Sequence, residues 1–165
     1  MVQHRIHWLN DLFVALSHLG STGLIWLLVA ALAALLWRRP FILAWVLAGD
    51  LIADLTSYWL RQAIGRERPP LRFGEPRPLV HVPHDPSFPS GHAAMSFACA
   101  AVLAWLTPLP KVPLFALAAL IAFSPVYVGV HYPLDVLGGA ALGLAIATAL
   151  RLLAGARRRS VPALR

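Results

Sequence analysis

The chain is predicted to fold as an all-α, polytopic membrane helix bundle with about five transmembrane helices, preceded by an N-terminal interfacial helix. Three observations lead there. Hydrophobic residues make up 59% of the 165 positions and charged residues only 13%, about half the charged share of a soluble domain. The apolar residues are gathered into runs of helix length, giving a mean hydropathy of +0.69. The chemistry-bearing polar residues sit in a few clusters at the ends of those runs rather than along them.

Residues 4–19 come first. Ile6, Leu9, Leu12, Phe13 and Leu16 recur at helical spacing with His7, Asn10, Asp11 and Ser17 between them, a pattern for a helix lying in the interface rather than crossing the bilayer. Spans are expected over residues 22–37, 41–60, 91–106, 112–128 and 134–153, several of them near the lower length limit for a core of about 30 Å. The 1–165 chain reads as a single integral-membrane domain, with its polar motifs within 61–135 and a basic tail over 154–165. The one cysteine, Cys99, falls in an apolar run, so no intrachain disulfide or cysteine metal cluster is available.

The formal charge of +7 would suggest nucleic acid in a soluble protein, but here the basic residues mark segment ends. Arg157, Arg158 and Arg159 are better read as an anchor beside anionic lipid, so nucleic acid is not an expected partner. With five spans, Arg38, Arg39, Lys111 and the 151–159 stretch share one side, cytoplasmic by the positive-inside rule. The loop from Arg61 to Pro89 and the turn at His131 then face outward. Residues 69–88, rich in proline and without clean periodicity, read as a cap over the site rather than a separate domain.

Within the second span, Asp50, Asp54, Ser57 or Tyr58, and Arg61 lie along one helical stripe, read first as hydrogen bonding between helices, with Asp54 orienting Arg61 from below the site as the sharper alternative. Gly139 and Gly143 permit a close helix contact inside the bundle.

Three polar clusters share the outer side. Pro89-Ser90-Gly91-His92 opens an apolar helix, where free backbone N–H groups and the helix dipole suit a phosphate, and His92 stands in the first turn as a proton donor or acceptor. Arg61 and Arg68-Pro69 precede it; Ser124, His131 and Asp135 follow. Guanidinium groups, a hydroxyl, two histidines and a carboxylate make a phosphoryl-transfer set. His81, His84 and Asp85 in the cap could be read as a metal site, but their proline-broken spacing favours solvated loop residues.

In order and spacing, these clusters resemble the three-part signature of the type 2 phosphatidic acid phosphatase family, whose fold is shared with vanadium haloperoxidases and bacterial acid phosphatases. The resemblance runs from about Phe41 to Leu153. It implies a membrane lipid phosphate phosphatase with this chemistry: His131 as nucleophile forming a phosphohistidine, Asp135 orienting it, and His92 protonating the leaving group. Arg61, Arg68, Ser90 and the Gly91 backbone would cradle the phosphoryl group, and neither a metal nor a cofactor is needed. A bacterial inner membrane, with the site on the extracytoplasmic face, is the implied setting.

Two positions depart from the family pattern. Arg61 stands where lysine is usual, and Pro125 stands where the family has an arginine that contacts the phosphoryl oxygens. Losing one such donor costs on the order of a hundred- to a thousandfold in rate. Arg72 or Arg77 are candidates to replace it, with Ser124 and Asp54 as further supporting residues. A polyprenyl (undecaprenyl) diphosphate is the favoured substrate, with phosphatidylglycerophosphate or phosphatidic acid as the alternative. The reading from another class is a catalytically impaired lipid-phosphate binding or transport protein, for which Pro125 is the main support.

Overall fold

The structure, a computed structural model, describes residues 7–74 and 77–160. Among them it is entirely helical: α1 His7–Gly20, α2 Leu24–Leu36, α3 Phe41–Ile64, α4 Pro69–Phe73, α5 Gly91–Leu106, α6 Lys111–Tyr127 and α7 Pro133–Ser160. The five expected spans correspond to α2, α3, α5, α6 and α7. The first residues of the interfacial segment and the end of the basic tail lie outside the described residues.

The bundle is built around α5, which packs against α3, α6 and α7. A helix apolar on all sides is stable only when enclosed, and α5 buries Ala93, Ala94, Ala98, Cys99, Val102 and Leu103 around its circumference. The small side chains on α5 let its neighbours approach backbone to backbone. Gly139 and Gly143 of α7 face it so closely that a Cβ at either would collide with the Ser90 or Ala94 carbonyl, so the expected contact is within the bundle. Trp26 of α2 is fully buried and donates its indole N–H to Ser96 Oγ at 3.1 Å, satisfying both polar atoms inside the apolar core.

By length and composition, Phe41–Phe73 and Pro133–Gly155 can each cross a bilayer, and α1 with α2 makes a third candidate if that pair, bent by 68°, is one span. The remaining apolar helices, α5 and α6, have 16 and 17 residues, about 24–26 Å at 1.5 Å per residue. Enclosure by longer helices lets α5 stop short of the headgroups. Outward-facing Leu28, Leu32, Leu51, Leu55, Leu137 and Leu144 supply the lipid-exposed surface.

Three local features differ from expectation. Helix α3 runs one turn past Leu60, because Arg61 to Ile64 are good helix formers, and stops at Gly65 in the left-handed conformation. The cap contains a short helix, α4, started by Pro69 and Pro70 in its first positions, where the missing N–H groups cost nothing. Helix α1 is docked onto α6: Phe13 stacks on Tyr127 at 4.3 Å between ring centroids, and Tyr127 Oη donates to Asn10 Oδ1 at 3.0 Å. Its other face leaves Trp8 and Leu12 exposed, as an interfacial helix requires.

Candidate active site

The polar clusters meet at one end of the bundle. The last turn of α3 brings Arg61, the link before α4 brings Arg66 and Arg68, the first turn of α5 brings Ser90, Gly91 and His92, and the start of α7 brings His131 and Asp135. They surround a cavity of about 300 Å³ whose wall includes Arg61, Arg68, Asp85, Gly91, His92 and His131.

The protonation of His131 follows from its neighbours. Arg68 Nη1 lies 3.0 Å from His131 Nε2, and a guanidinium can only donate, so Nε2 accepts and carries a lone pair. The ring proton is therefore on Nδ1, which donates to Asp135 Oδ2 at 3.2 Å. The same oxygen accepts the Tyr132 N–H at 2.9 Å, because Asp135, in the first turn of α7, reaches back to the residue that caps the helix. Arg66 Nη1 pairs with the other carboxylate oxygen at 2.9 Å, and its guanidinium lies 4.2 Å over the Tyr132 ring. Asp135 is wholly buried, so its charge needs this second partner. Burial pushes the His131 imidazole below its ordinary pKa, against the opposing hydrogen bond to Asp135. The outcome is a neutral imidazole with its bare nitrogen at the cavity wall.

Arg61 and Arg68 share one carboxylate. Asp85 Oδ2 lies 2.7 Å from Arg61 Nε, an ion pair whose N–H is not aligned as a hydrogen bond, and Asp85 Oδ1 accepts from Arg68 Nη2 at 2.8 Å. Arg68 Nε donates to the Asp85 backbone carbonyl at 2.8 Å, and Nη1 also reaches Val130 O at 3.1 Å. Arg61 Nη1 donates to Ser57 Oγ at 3.2 Å, and Ser57 Oγ donates to the Asp54 carbonyl. The Asp54 carboxylate lines the cavity, while its backbone oxygen is what enters the hydrogen-bond chain to Arg61. Gly91 lets the Arg61 guanidinium lie close to the start of α5: a Cβ there would stand 2.9 Å from Arg61 Nη1 and displace it. Ser90 N donates to the Asp135 carbonyl, joining the two motifs, and Ser90 Oγ is buried with no hydrogen-bond partner among the described residues.

His92 is held from outside the three clusters. Its Nε2 lies 2.8 Å from the Ser17 carbonyl at the end of α1, and a carbonyl only accepts, so Nε2 carries a proton. Ser17 and His92 both face the cavity.

Pro125 is fully buried in the last turn of α6. Lacking an N–H, it would leave the Ile121 carbonyl without its helical donor, and Ser124 Oγ supplies one at 2.8 Å. Ser124 is thereby turned to its own helix. The Pro125 carbonyl accepts from Val130 N and His131 N at 2.9 and 3.2 Å, fixing the turn that presents His131. Neither Arg72 nor Arg77 lines the cavity; the Arg72 guanidinium lies 5.4 Å over the Phe73 ring. His81 lines the cavity with its ring 5.7 Å from that of His84, and no three His, Cys, Asp or Glu side chains among the described residues converge as a metal site.

Sequence reasoning passed over three groups that complete the site: Asp85, Arg66 and the Ser17 carbonyl. Arg66 had a signal, since it lies two residues from Arg68 in the first cluster. Asp85 stood among loop histidines, and a backbone carbonyl from α1 has no sequence signature.

A helical membrane bundle in which His131, backed by a buried Asp135, walls one cavity with Arg61 and Arg68 defines a membrane enzyme built for phosphoryl transfer. The profile of the PAP2 superfamily matches residues 40–159, and the chain belongs to that superfamily; it is a phosphatase. The decaprenylphosphoryl-5-phosphoribose phosphatase of Mycobacterium tuberculosis is 34% identical to it over 152 residues, covering 88% of this chain and 80% of that protein. The undecaprenyl-diphosphatase of Sulfolobus acidocaldarius is 34% identical over 142 residues, covering 85% of this chain and 68% of that protein. The crystal structure of a PAP2-type phosphatidylglycerolphosphate phosphatase from Bacillus subtilis superposes with a TM-score of 0.76 at 27% identity, covering 99% of this chain and 83% of that one.

Proposed function

We propose that this phosphatase removes a phosphoryl group from a polyprenyl-linked phosphate or diphosphate, held with its headgroup in the cavity and its tail in the bilayer. The lone pair that Arg68 and Asp135 fix on His131 Nε2 carries the reading. In the first step Nε2 attacks phosphorus in line with the leaving oxygen, the P–O bond breaks, and the imidazole becomes a phosphohistidine whose proton stays on Nδ1, hydrogen-bonded to the ionised Asp135. His92, whose Nε2–H is held on the Ser17 carbonyl, acts as an imidazolium protonated also on Nδ1 and gives that Nδ1 proton to the departing oxygen, returning to the neutral ring. Water then attacks the phosphohistidine, with His92 taking the proton back, and phosphate leaves. Arg61, Arg68, Ser90 Oγ and the first N–H groups of α5 stabilise the equatorial oxygens.

Similarity to two phosphatases named for polyprenyl-linked substrates supports the choice of tail. Similarity to the Bacillus subtilis phosphatidylglycerolphosphate phosphatase supports the alternative, a glycerophospholipid headgroup. The positive-inside rule supports an extracytoplasmic site in a bacterial inner membrane: Arg39 and Arg151 line a groove near the ends of α5 and α7 remote from His92 and His131. A binding or transport role resting on Pro125 is less well supported, since Pro125 serves the turn before His131 and binding alone has no need of an oriented His–Asp pair.

The test is phosphate release by purified enzyme from polyprenyl diphosphate, phosphatidylglycerophosphate and phosphatidic acid, in the presence of a chelator. Release that is lost in His131→Ala by at least about a thousandfold is expected. Lipid-phosphate binding without release by the wild type would establish the binding role instead.

A further inference from the structure

The arginines that should receive a phosphoryl group are already occupied by the chain's own carboxylate. Every nitrogen of Arg68 has a protein partner: Nε on the Asp85 carbonyl, Nη2 on Asp85 Oδ1, and Nη1 on Val130 O and His131 Nε2. Arg61 is held by Asp85 Oδ2 and Ser57. One carboxylate thus bridges two guanidinium groups, each oxygen taking one arginine, as two oxygens of a tetrahedral oxyanion would. The Arg68 side chain meanwhile stands against the nitrogen that must reach phosphorus.

We infer that Asp85 is an internal anion that keeps the arginine clamp closed at rest, and that the substrate's phosphoryl group exchanges with it on binding. Two physical features separate this from a simple brace. The side chains of Arg61 and Arg68 are 11% and 4% exposed, so leaving both charges unmatched between turnovers would be strongly unfavourable. The Asp85 side chain is 28% exposed and faces the cavity, so of the three it can move into water at least cost. The carboxylate that orients His131, Asp135, is by contrast fully buried. Anion for anion, the exchange keeps the clamp's charge balanced, frees Arg68 Nη1 from His131, and turns the guanidinium edges toward the phosphoryl oxygens. Asp85 is therefore a positioning residue that also sets how strongly an oxyanion must bind to open the site.

The inference rests on the phosphatase reading only in assigning Arg61 and Arg68 to an oxyanion, so its test is binding rather than turnover. The probe is orthovanadate, a tetrahedral phosphate analogue, titrated against detergent-purified full-length enzyme by calorimetry. If the clamp is free only a fraction of the time, removing the competitor raises apparent affinity by the inverse of that fraction. Asp85→Asn and Asp85→Ser should each tighten vanadate binding by roughly three- to tenfold and lower KM for the best lipid phosphate, whereas Asp85→Glu, which keeps the charge, should not. Unchanged or weaker binding in the neutral variants would overturn the inference, since a carboxylate that only braces the arginines helps them bind. A readout needing no variant is the infrared difference spectrum of wild-type enzyme with and without vanadate, where a shift of a carboxylate stretch is expected and its absence counts against exchange. Tighter vanadate binding in an enzyme that hydrolyses no lipid phosphate would uphold the exchange while refuting the proposed substrate.

Discussion

The two histidines of the site are held in different ways. His131 is fixed by short-range structure: Asp135 lies one helical turn on, Tyr132 and Pro133 start the helix between them, and Arg66 and Arg68 come from one short link. His92 owes its orientation to Ser17, 75 positions away on α1, which lies outside residues 40–159 matched by the superfamily profile. In the proposed mechanism the nucleophilic half is thus built into the local architecture of one helix start, and the proton-transfer half depends on how a peripheral helix is docked. Damage to the first should abolish chemistry; damage to the second should detune it.

Replacing Asp135 by asparagine strikes the first region and should have the largest effect, a fall in kcat of about a thousandfold or more. The amide can turn its NH2 toward His131 and favour the wrong tautomer, while Arg66 loses its counter-ion. Vanadate binding, which uses Arg61 and Arg68, should change far less than kcat.

The pH profile comes next. His131 must be neutral to attack, and burial holds its pKa below the ordinary value, so the protonated, inactive form accumulates only as pH falls below about 6.5. The acid limb of kcat/KM should lie under that value and fall about tenfold per pH unit beneath it. A limb at or above 6.5 would mean that the site opens to water and that His131 is not the group being titrated.

Phe13→Ala loosens α1 on α6 without touching the cavity. A roughly tenfold loss of kcat with little change in KM is expected, because the proton donor is misplaced while the clamp remains. Equal losses from Phe13→Ala and Asp135→Asn would erase the distinction between the two regions.

The smallest effect should come from Ser124→Ala, which leaves the Ile121 carbonyl without a donor beside Pro125. About 1 kcal/mol of stability, read as a lower Tm, is expected with kcat nearly unchanged. A large loss of kcat would instead return Ser124 to direct phosphate contact.

Much of this was legible in the chain itself. Apolar runs broken by polar clusters specify a helical membrane bundle, because the bilayer demands that backbone polar groups be satisfied within each span, and this depends on local composition alone. The spacing of His131 and Asp135 across one helical turn likewise states which groups can meet, since a helix start has one geometry. Pairings between segments distant in the chain were beyond it. That Asp85 bridges two arginines, that Ser17 holds His92, and that Arg66 rather than Arg72 or Arg77 reaches the His–Asp pair depend on how the cap folds back and how α1 lies on α6. Sequence determined the membrane bundle and placed His131 and Asp135 one helical turn apart through local periodicity; tertiary packing decided which charges neutralise one another, because a buried charge takes the partner that the fold brings within about 3 Å, wherever it lies in the chain.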